Sequence, residues 1–129
     1  MTTEEQRRQE FIDKVVPLVV KQGRQSEGDD GRCLYRGPNG LRCAIGFAIP
    51  DDRYTPDMEI GLCASEVLRS WPGAVEGLDA TDAGFADSLQ LAHDNAIYQE
   101  TFVTHFLAAV RVLAIRYGLT APQIEENQK

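Results

Sequence analysis

The sequence predicts a mostly helical single domain of the α+β class, with one β-hairpin or small antiparallel sheet. Two observations predict this class. Apolar residues recur at helical spacing over most of the 129 residues, whereas residues 32–45, RCLYRGPNGLRCAI, form two short runs around a Gly-Pro-Asn-Gly turn. The length suits one domain, and a composition of 43% hydrophobic and 26% charged residues is typical of a globular protein.

The first 23 residues predict an N-terminal helix. Thr2 and Glu5 stand at the spacing of a capping box, and Gly23 is suited to close the helix. Because proline cannot donate the helical hydrogen bond, Pro17 predicts a kink near Lys14 or a break in the helix. The apolar stripe of this helix consists of Phe11, Ile12, Val15, Val16, Leu18, Val19 and Val20.

Residues 55–118 predict the helical part of the domain. A helix starts at Thr55-Pro56 and ends at Trp71, with an interruption at Gly61 left open, and a second carries Phe85 and Leu89 after a cap at Asp79, Thr81 or Asp82. The last helix carries an apolar face closed by Gly118, before a turn and tail over residues 119–129. The aromatic stripe of this helix is interpreted as core, and it leaves a homodimer face as the alternative. The predicted face consists of Tyr98, Phe102, Phe106, Ala109, Val110, Leu113 and Tyr117.

Residues 32–46 predict the β-hairpin. Pro38 and Gly40 suit a type I turn followed by a glycine bulge, which pairs Tyr35 with Cys43. This register separates residue types by face, because side chains alternate along a strand. One face carries Cys33, Tyr35, Cys43 and Ile45. The wetter face carries Arg32, Leu34, Arg36, Arg42 and Ala44, and it brings Arg36 and Arg42 close together.

The same stretch resembles a family of small uncharacterised proteins of phages, prophages and bacteria. The shared pattern is C-x-Y-R-G-P-[ND]-G-x-x-C-A-x-G-x-x-I-P-D, followed by Y-x-P-x-M-E, and the later pieces LQLAHD and YGLT are similar as well. Phe47 and Ile60 depart from the pattern, where a cysteine or small residue and a glycine are expected. The resemblance implies a phage or mobile-element context and carries no activity.

The charge is unevenly distributed along the chain. The net charge is −7, and residues 51–100 hold 11 acidic residues against Arg53 and Arg69, so that this half carries −9. Such a balance disfavours broad, non-specific nucleic-acid binding, which depends on neutralising phosphates with lysine and arginine. It suits either ordinary solubility or an acidic face for a basic partner.

Cys43 and His93 are the candidate catalytic residues. A thiol at the start of a helical turn is stabilised as a thiolate, with His93 as base and Asp94 or Asn95 as the residue that orients it. Against this, the hairpin places Cys43 among apolar neighbours, which raises the pKa of a thiol. Adjacent residues on a helix also diverge by about 100°, so that Gln90 is predicted to orient His93 better than Asp94 does. A buried structural cysteine is the alternative.

The sequence predicts no metal site and no cofactor. Zinc would need further ligands from Cys63, His93 or His105 beside Cys33 and Cys43, whose spacing matches no zinc signature. No nucleotide-binding, serine-hydrolase or zinc-protease motif occurs in the chain. An odd number of cysteines, a charged N-terminus and the lack of a long apolar run predict a cytoplasmic protein without a membrane partner.

The predicted binding residues are Arg32, Arg36, Arg42 and Tyr35, because clustered guanidinium groups can clamp an anion. Pairing of these arginines with the acids of residues 51–100 is the alternative. We therefore expect a small acidic binding protein that docks on a host or phage macromolecule without catalysis. The other hypotheses are a cysteine-dependent enzyme using Cys43 and His93, and a pocket of Tyr35, Trp71 and the arginines that binds an anionic small molecule.

Overall fold

The fold is a set of α-helices joined by single helical turns. The computed structural model describes residues 2–28, 34–60, 63–96 and 99–124. Helix α1 spans Thr3–Gln22, α2 spans Ala64–Ser70, α3 spans Ala83–Asp94 and α4 spans Phe102–Tyr117. Over the described ranges there is no β-sheet, and an isolated antiparallel bridge joins Arg36 to Arg42. The predicted α+β class is therefore wrong.

Helix α1 begins with the capping box that the sequence predicts. The Glu5 amide donates to Thr2 Oγ1 at 3.1 Å, and the Thr2 amide donates to Glu5 Oε1 at 2.8 Å. Gly23 closes the helix in the left-handed conformation, with φ of 75°. The helix runs through Pro17 without the break that the sequence allowed.

The later helices follow their predicted caps, with one difference in length. Thr55 starts a single 3-10 turn, Pro56–Glu59, and α2 begins only at Ala64, so that the helix predicted over residues 55–71 is two separate pieces. Asp79 caps the turn that leads into α3, and Gly118 closes α4 with φ of 70°. Tyr98 lies outside the described residues.

One apolar core joins all four helices to residues 43–49. Helix α1 contributes the stripe centred on Val15 and Val19, and α3 contributes Phe85 and Leu89. Phe102 and Phe106 of α4 stack in parallel with centroids 5.8 Å apart, and both are fully buried. The aromatic stripe of α4 is therefore core and not a free dimer face.

The segment predicted as a hairpin keeps its turn but forms no strands. The Gly37 amide donates to the Leu41 carbonyl at 2.8 Å, and Asn39 takes a left-handed conformation within the turn. Beyond the turn, a long backbone bond of 3.4 Å joins the Cys43 amide to the Tyr35 carbonyl, whereas side chains bind the amides of Tyr35, Arg36 and Arg42. Glu59 accepts the Tyr35 and Arg36 amides at 2.9 and 3.0 Å. The predicted hairpin is wrong because these amides bond to a carboxylate and not to backbone carbonyls.

On the other side of the turn, Gln22 at the end of α1 binds Arg42 twice. Its Oε1 accepts the Arg42 amide at 2.9 Å, and its Nε2 donates to the Arg42 carbonyl at 2.8 Å. Gly46 then lies so close to Tyr35 that a Cβ at position 46 would stand 2.0 Å from the Tyr35 carbonyl oxygen. Only glycine permits this approach, and the chain turns there into a 3-10 turn, Gly46–Ala48.

A buried ion cluster ties α1 to the start of α3. The Asp82 carboxylate is 0% exposed and accepts bonds from Arg7 Nε at 2.8 Å, Arg7 Nη2 at 3.0 Å and Arg8 Nε at 2.8 Å. Arg8 also lies over the rings of Phe85 and Tyr117, at 5.7 and 5.4 Å. Burial raises the pKa of Asp82, but the bonds from both arginines and from the Asp79 amide outweigh it and hold the pKa below 3.8.

The helices are too short or too polar to cross a bilayer. Over the described ranges, none combines the length and the apolar character that a membrane span needs.

Candidate functional site

Arg36 and Arg42 lie side by side, as the turn register predicts, and they share one carboxylate. Asp51 Oδ1 lies 2.7 Å from Arg36 Nη2 and 3.4 Å from Arg42 Nη2. The Asp51 side chain is 83% exposed, so the two guanidinium groups meet at the surface. This is the intramolecular pairing that the sequence left as the alternative to ligand binding. Arg32 lies outside the described residues.

Arg36 is held by its neighbours on several sides. Its guanidinium lies 4.3 Å from the centre of the Tyr54 ring, and its Nη2 donates to the Ile49 carbonyl at 3.0 Å. Tyr54 in turn donates its hydroxyl to Glu59 Oε2 at 2.7 Å. Partial burial, and then this bond, raise the pKa of Tyr54 to about 12. Glu59 thus orders both the backbone of the turn and the ring beneath Arg36.

Cys43 lies in the core and not at a reactive position. Its side chain is 0% exposed, and its Sγ accepts the Gly46 amide at 3.3 Å. Burial raises the pKa of the Cys43 thiol far above the usual value, and the hydrogen bonds to it do not offset this effect. Both the burial and the raised pKa disfavour the thiolate form that a nucleophilic cysteine needs.

His93 is also fully buried, and neither of its ring nitrogens bonds to Cys43. Its Nε2 accepts the Ser26 amide at 3.3 Å, and its Nδ1 lies 2.8 Å from Asp94 Oδ1. Because Nε2 is an acceptor, the proton of the neutral ring lies on Nδ1 and is donated to Asp94. The prediction that Asp94 is a poor orienting residue is wrong, because the two side chains meet at the end of α3. This geometry gives no support to a Cys43–His93 enzyme.

Tyr35 lines a cleft beside the beginning of α2 and one face of α3. The cleft has a volume of about 260 Å³. Its lining residues are Tyr35, Cys63, Ala64, Asp87, Gln90, Leu91 and Asp94. Gln90 connects the cleft to the core, because it accepts the Ile45 amide at 3.2 Å and donates to Asp94 Oδ1 at 3.0 Å. The name acidic cleft is used below for this group of residues.

The acidic cleft differs in two ways from the anion pocket that the sequence suggested. Trp71 lies elsewhere, against Arg53 and Gly73, so the structure does not bring it together with Tyr35. Among the described residues, the charged side chains that line the cleft are the carboxylates of Asp87 and Asp94. An anionic ligand is therefore disfavoured at this place.

The two cysteines that the structure describes, Cys43 and Cys63, differ in their surroundings. Cys63, at the rim of the cleft, is exposed, and its Sγ lies 3.1 Å from Ser65 Oγ and donates to Glu66 Oε1 at 3.2 Å. Cys33 lies outside the described residues. Within the described ranges, no three His, Cys, Asp or Glu side chains lie together in a way that could hold a metal ion.

Asp87 was not predicted as a site residue, although the sequence contains a signal for it. Asp87, Gln90 and Asp94 stand at positions i, i+3 and i+7 of α3, which places them on one face of the helix. A polar stripe of this kind, beside the apolar stripe that packs into the core, indicates that α3 has a second face with polar contacts of its own. The facing residues, Tyr35 and Cys63, come from distant parts of the chain, so spacing alone does not pair them with α3.

Comparisons with protein-family models, with curated proteins and with solved structures each find no match to this chain.

Proposed function

We propose that this chain is a non-catalytic binding protein that docks on a positively charged macromolecule of a phage or its bacterial host. The observation that carries the proposal is the acidic charge of residues 51–100, which hold 11 acidic residues and two basic ones. In the described part, four of these carboxylates form ion pairs with arginine or lysine, namely Asp51, Glu76, Asp79 and Asp82. Of the other described carboxylates in this range, Asp52, Asp57 and Glu100 are exposed.

Electrostatics support a basic partner over an acidic one. Charge complementarity increases the rate of association and penalises partners of like charge. The arginine pair that would attract an acidic partner is already bridged by Asp51. Asp52 and Asp57, in contrast, are exposed carboxylates, and the half-buried Glu66 accepts a hydrogen bond from Cys63, which lines the acidic cleft. The proposal places the protein in the cytoplasm, since Cys43 and Cys63 are free thiols that suit a reducing compartment.

Two charge variants with the same net charge test the proposal. The first, Asp57→Asn with Glu66→Gln, removes two carboxylates of residues 51–100, and the second, Glu10→Gln with Asp13→Asn, removes two exposed carboxylates from α1. Each protein is immobilised and exposed to bacterial lysate. A protein retained by the wild type is identified, purified and measured by calorimetry at two salt concentrations.

The proposal expects the affinity for that purified partner to fall as salt rises. It also expects the Asp57/Glu66 variant to bind about fivefold more weakly, since surface charges contribute up to about 1 kcal/mol, while the α1 variant binds like the wild type. A partner whose affinity changes neither with the salt concentration nor in either variant would contradict the proposal. So would a wild type that, in independent lysates, retains no protein beyond those retained by the matrix without immobilised protein.

A further inference from the structure

The acidic cleft is small and has a mixed lining. Its volume of about 260 Å³ lies below the roughly 300–1,000 Å³ that drug-sized ligands and cofactors need. A nucleotide is therefore too large for it, whereas one long side chain fits. Tyr35 contributes an aromatic wall and Ala64 and Leu91 contribute apolar surface. These surfaces suit the stem of an amphipathic side chain.

The two carboxylates of the cleft are oriented by the protein and keep one oxygen each for a ligand. Asp87 Oδ1 accepts the Ser65 amide at 2.8 Å, and Asp94 Oδ1 accepts from Gln90 and His93. In the described part of the chain, all hydrogen bonds of both carboxylates go to Oδ1, so that Oδ2 of each accepts none. Both carboxylates are therefore held in place while one oxygen of each can still accept a hydrogen bond. A cationic group can bind to them with little further loss of side-chain entropy.

The lining of the cleft favours a guanidinium over an ammonium. Asp87 and Asp94 stand seven residues apart on the face of α3 that lines the cleft, and Tyr35 lines it from a distant part of the chain. A planar guanidinium has donors on opposite edges and stacks on aromatic rings, whereas the donors of an ammonium radiate from one nitrogen. Arginine is also among the residues that contribute most to protein interfaces.

We propose that the acidic cleft binds the guanidinium group of one arginine of the partner, between Asp87 and Asp94 and against the Tyr35 ring. This inference rests on the proposed function, because it names the group by which a basic partner is held. It also makes a claim about the isolated protein, namely that the cleft binds an arginine side chain without any partner present.

A ligand series measures that claim directly. N-acetyl-arginine amide is titrated into the ¹⁵N-labelled full chain and followed by two-dimensional NMR, beside the lysine and citrulline analogues. Citrulline matches arginine in shape but lacks its charge. We expect the arginine compound to shift the amides around the cleft, such as those of Ala64 and Leu91. The lysine compound should bind several-fold more weakly, and citrulline should bind least.

An isosteric pair of variants locates the binding. Asp87→Asn keeps an acceptor for the Ser65 amide and should weaken arginine binding about tenfold, as expected for the loss of one charge-assisted hydrogen bond. Asp79→Asn is the matched control, because Asp79 likewise accepts a backbone amide, that of Thr81, and it lies away from the cleft. Asp94→Asn provides a second cleft variant if Asp87→Asn does not fold.

Equal binding of arginine and citrulline, or of arginine and lysine, would overturn the assignment, as would equal loss of binding in Asp87→Asn and Asp79→Asn. The test also separates this inference from the proposed function. Arginine binding in the cleft combined with a partner that is insensitive to Asp87→Asn would refute the docking role of the cleft alone. No arginine binding combined with a salt-sensitive partner would refute the cleft assignment and leave the docking function standing.

Discussion

Replacement of Asp82 by alanine tests the buried ion cluster that joins α1 to α3. The carboxylate accepts three bonds from Arg7 and Arg8, at 2.8, 3.0 and 2.8 Å, and one from the Asp79 amide at 3.0 Å. Asp82→Ala removes every one of these acceptors together and leaves two guanidinium groups behind. The substitution therefore removes one partner of a buried ion pair and leaves the other charged. This lowers the free energy of unfolding more than replacing both partners would.

The exposure of the two arginines determines how much unfolding free energy Asp82→Ala should cost. Breaking a buried ion pair costs about 3–5 kcal/mol when the remaining charge stays buried. The side chains of Arg7 and Arg8 are 25% and 13% exposed, so that both can recover part of their hydration. We therefore expect a loss of about 3 kcal/mol, near the lower end of that range. A domain with a stability of about 5–15 kcal/mol remains folded after such a loss.

Urea unfolding at pH 7, followed by circular dichroism, measures this loss. With a slope of about 1.5 kcal/mol per M, a loss of 3 kcal/mol lowers the unfolding midpoint by about 2 M. Glu76→Ala is the control, because Glu76 lies 3.8 Å from Lys14 in an ion pair whose two side chains are each 58% exposed. An exposed pair contributes about 0–1 kcal/mol. If Asp82→Ala and Glu76→Ala shift the midpoint equally, the reasoning from burial is refuted.

Three further predictions follow. The stability that Asp82 contributes is present above its unfolded pKa of about 3.9 and is lost as the pH falls through its lower folded pKa. The difference in unfolding free energy between wild type and Asp82→Ala should therefore vanish in strong acid. A difference that persists there would contradict the assignment. Gly46→Ala should lower stability by about 3 kcal/mol, because its Cβ would meet the Tyr35 carbonyl, whereas Gly84→Ala, with its nearest contact at 3.5 Å, should cost nothing in the same melts. In native alkylation read by peptide mass, Cys63 should react while Cys43 stays inert until unfolding; fast reaction of Cys43 at neutral pH would revive the thiol-enzyme hypothesis.

The helices were largely predictable because their signals are local. The capping box of α1, the caps at Asp79 and Gly118, and the apolar stripes all lie within a few residues of the structure they specify. The hairpin was not predictable in the same way. Its turn is local, but a strand also needs backbone partners, and the amides of Tyr35 and Arg36 bond to Glu59, more than 20 residues away.

In the candidate site, too, some contacts were predictable from the sequence and others were not. The closeness of Arg36 and Arg42 followed from the turn register, since two residues that flank a tight turn must be near each other. The bridge through Asp51 was foreseen only as one of two alternatives. The burial of His93 and its bond to Asp94 were not foreseen, because helical spacing predicts the direction in which a side chain leaves the backbone and not where its polar atoms lie.

The sequence by itself determined where α1 begins, where α1 and α4 end, which faces are apolar, and how charge is divided along the chain. These properties depend on intrinsic propensity and on residues at most one helical turn apart. The tertiary structure decided the rest, namely the absence of a sheet in the described chain, the burial of Cys43, and the meeting of Tyr35 with Asp87 and Asp94 in one cleft. Each of these depends on which distant group satisfies a buried polar atom, and that choice is made by packing.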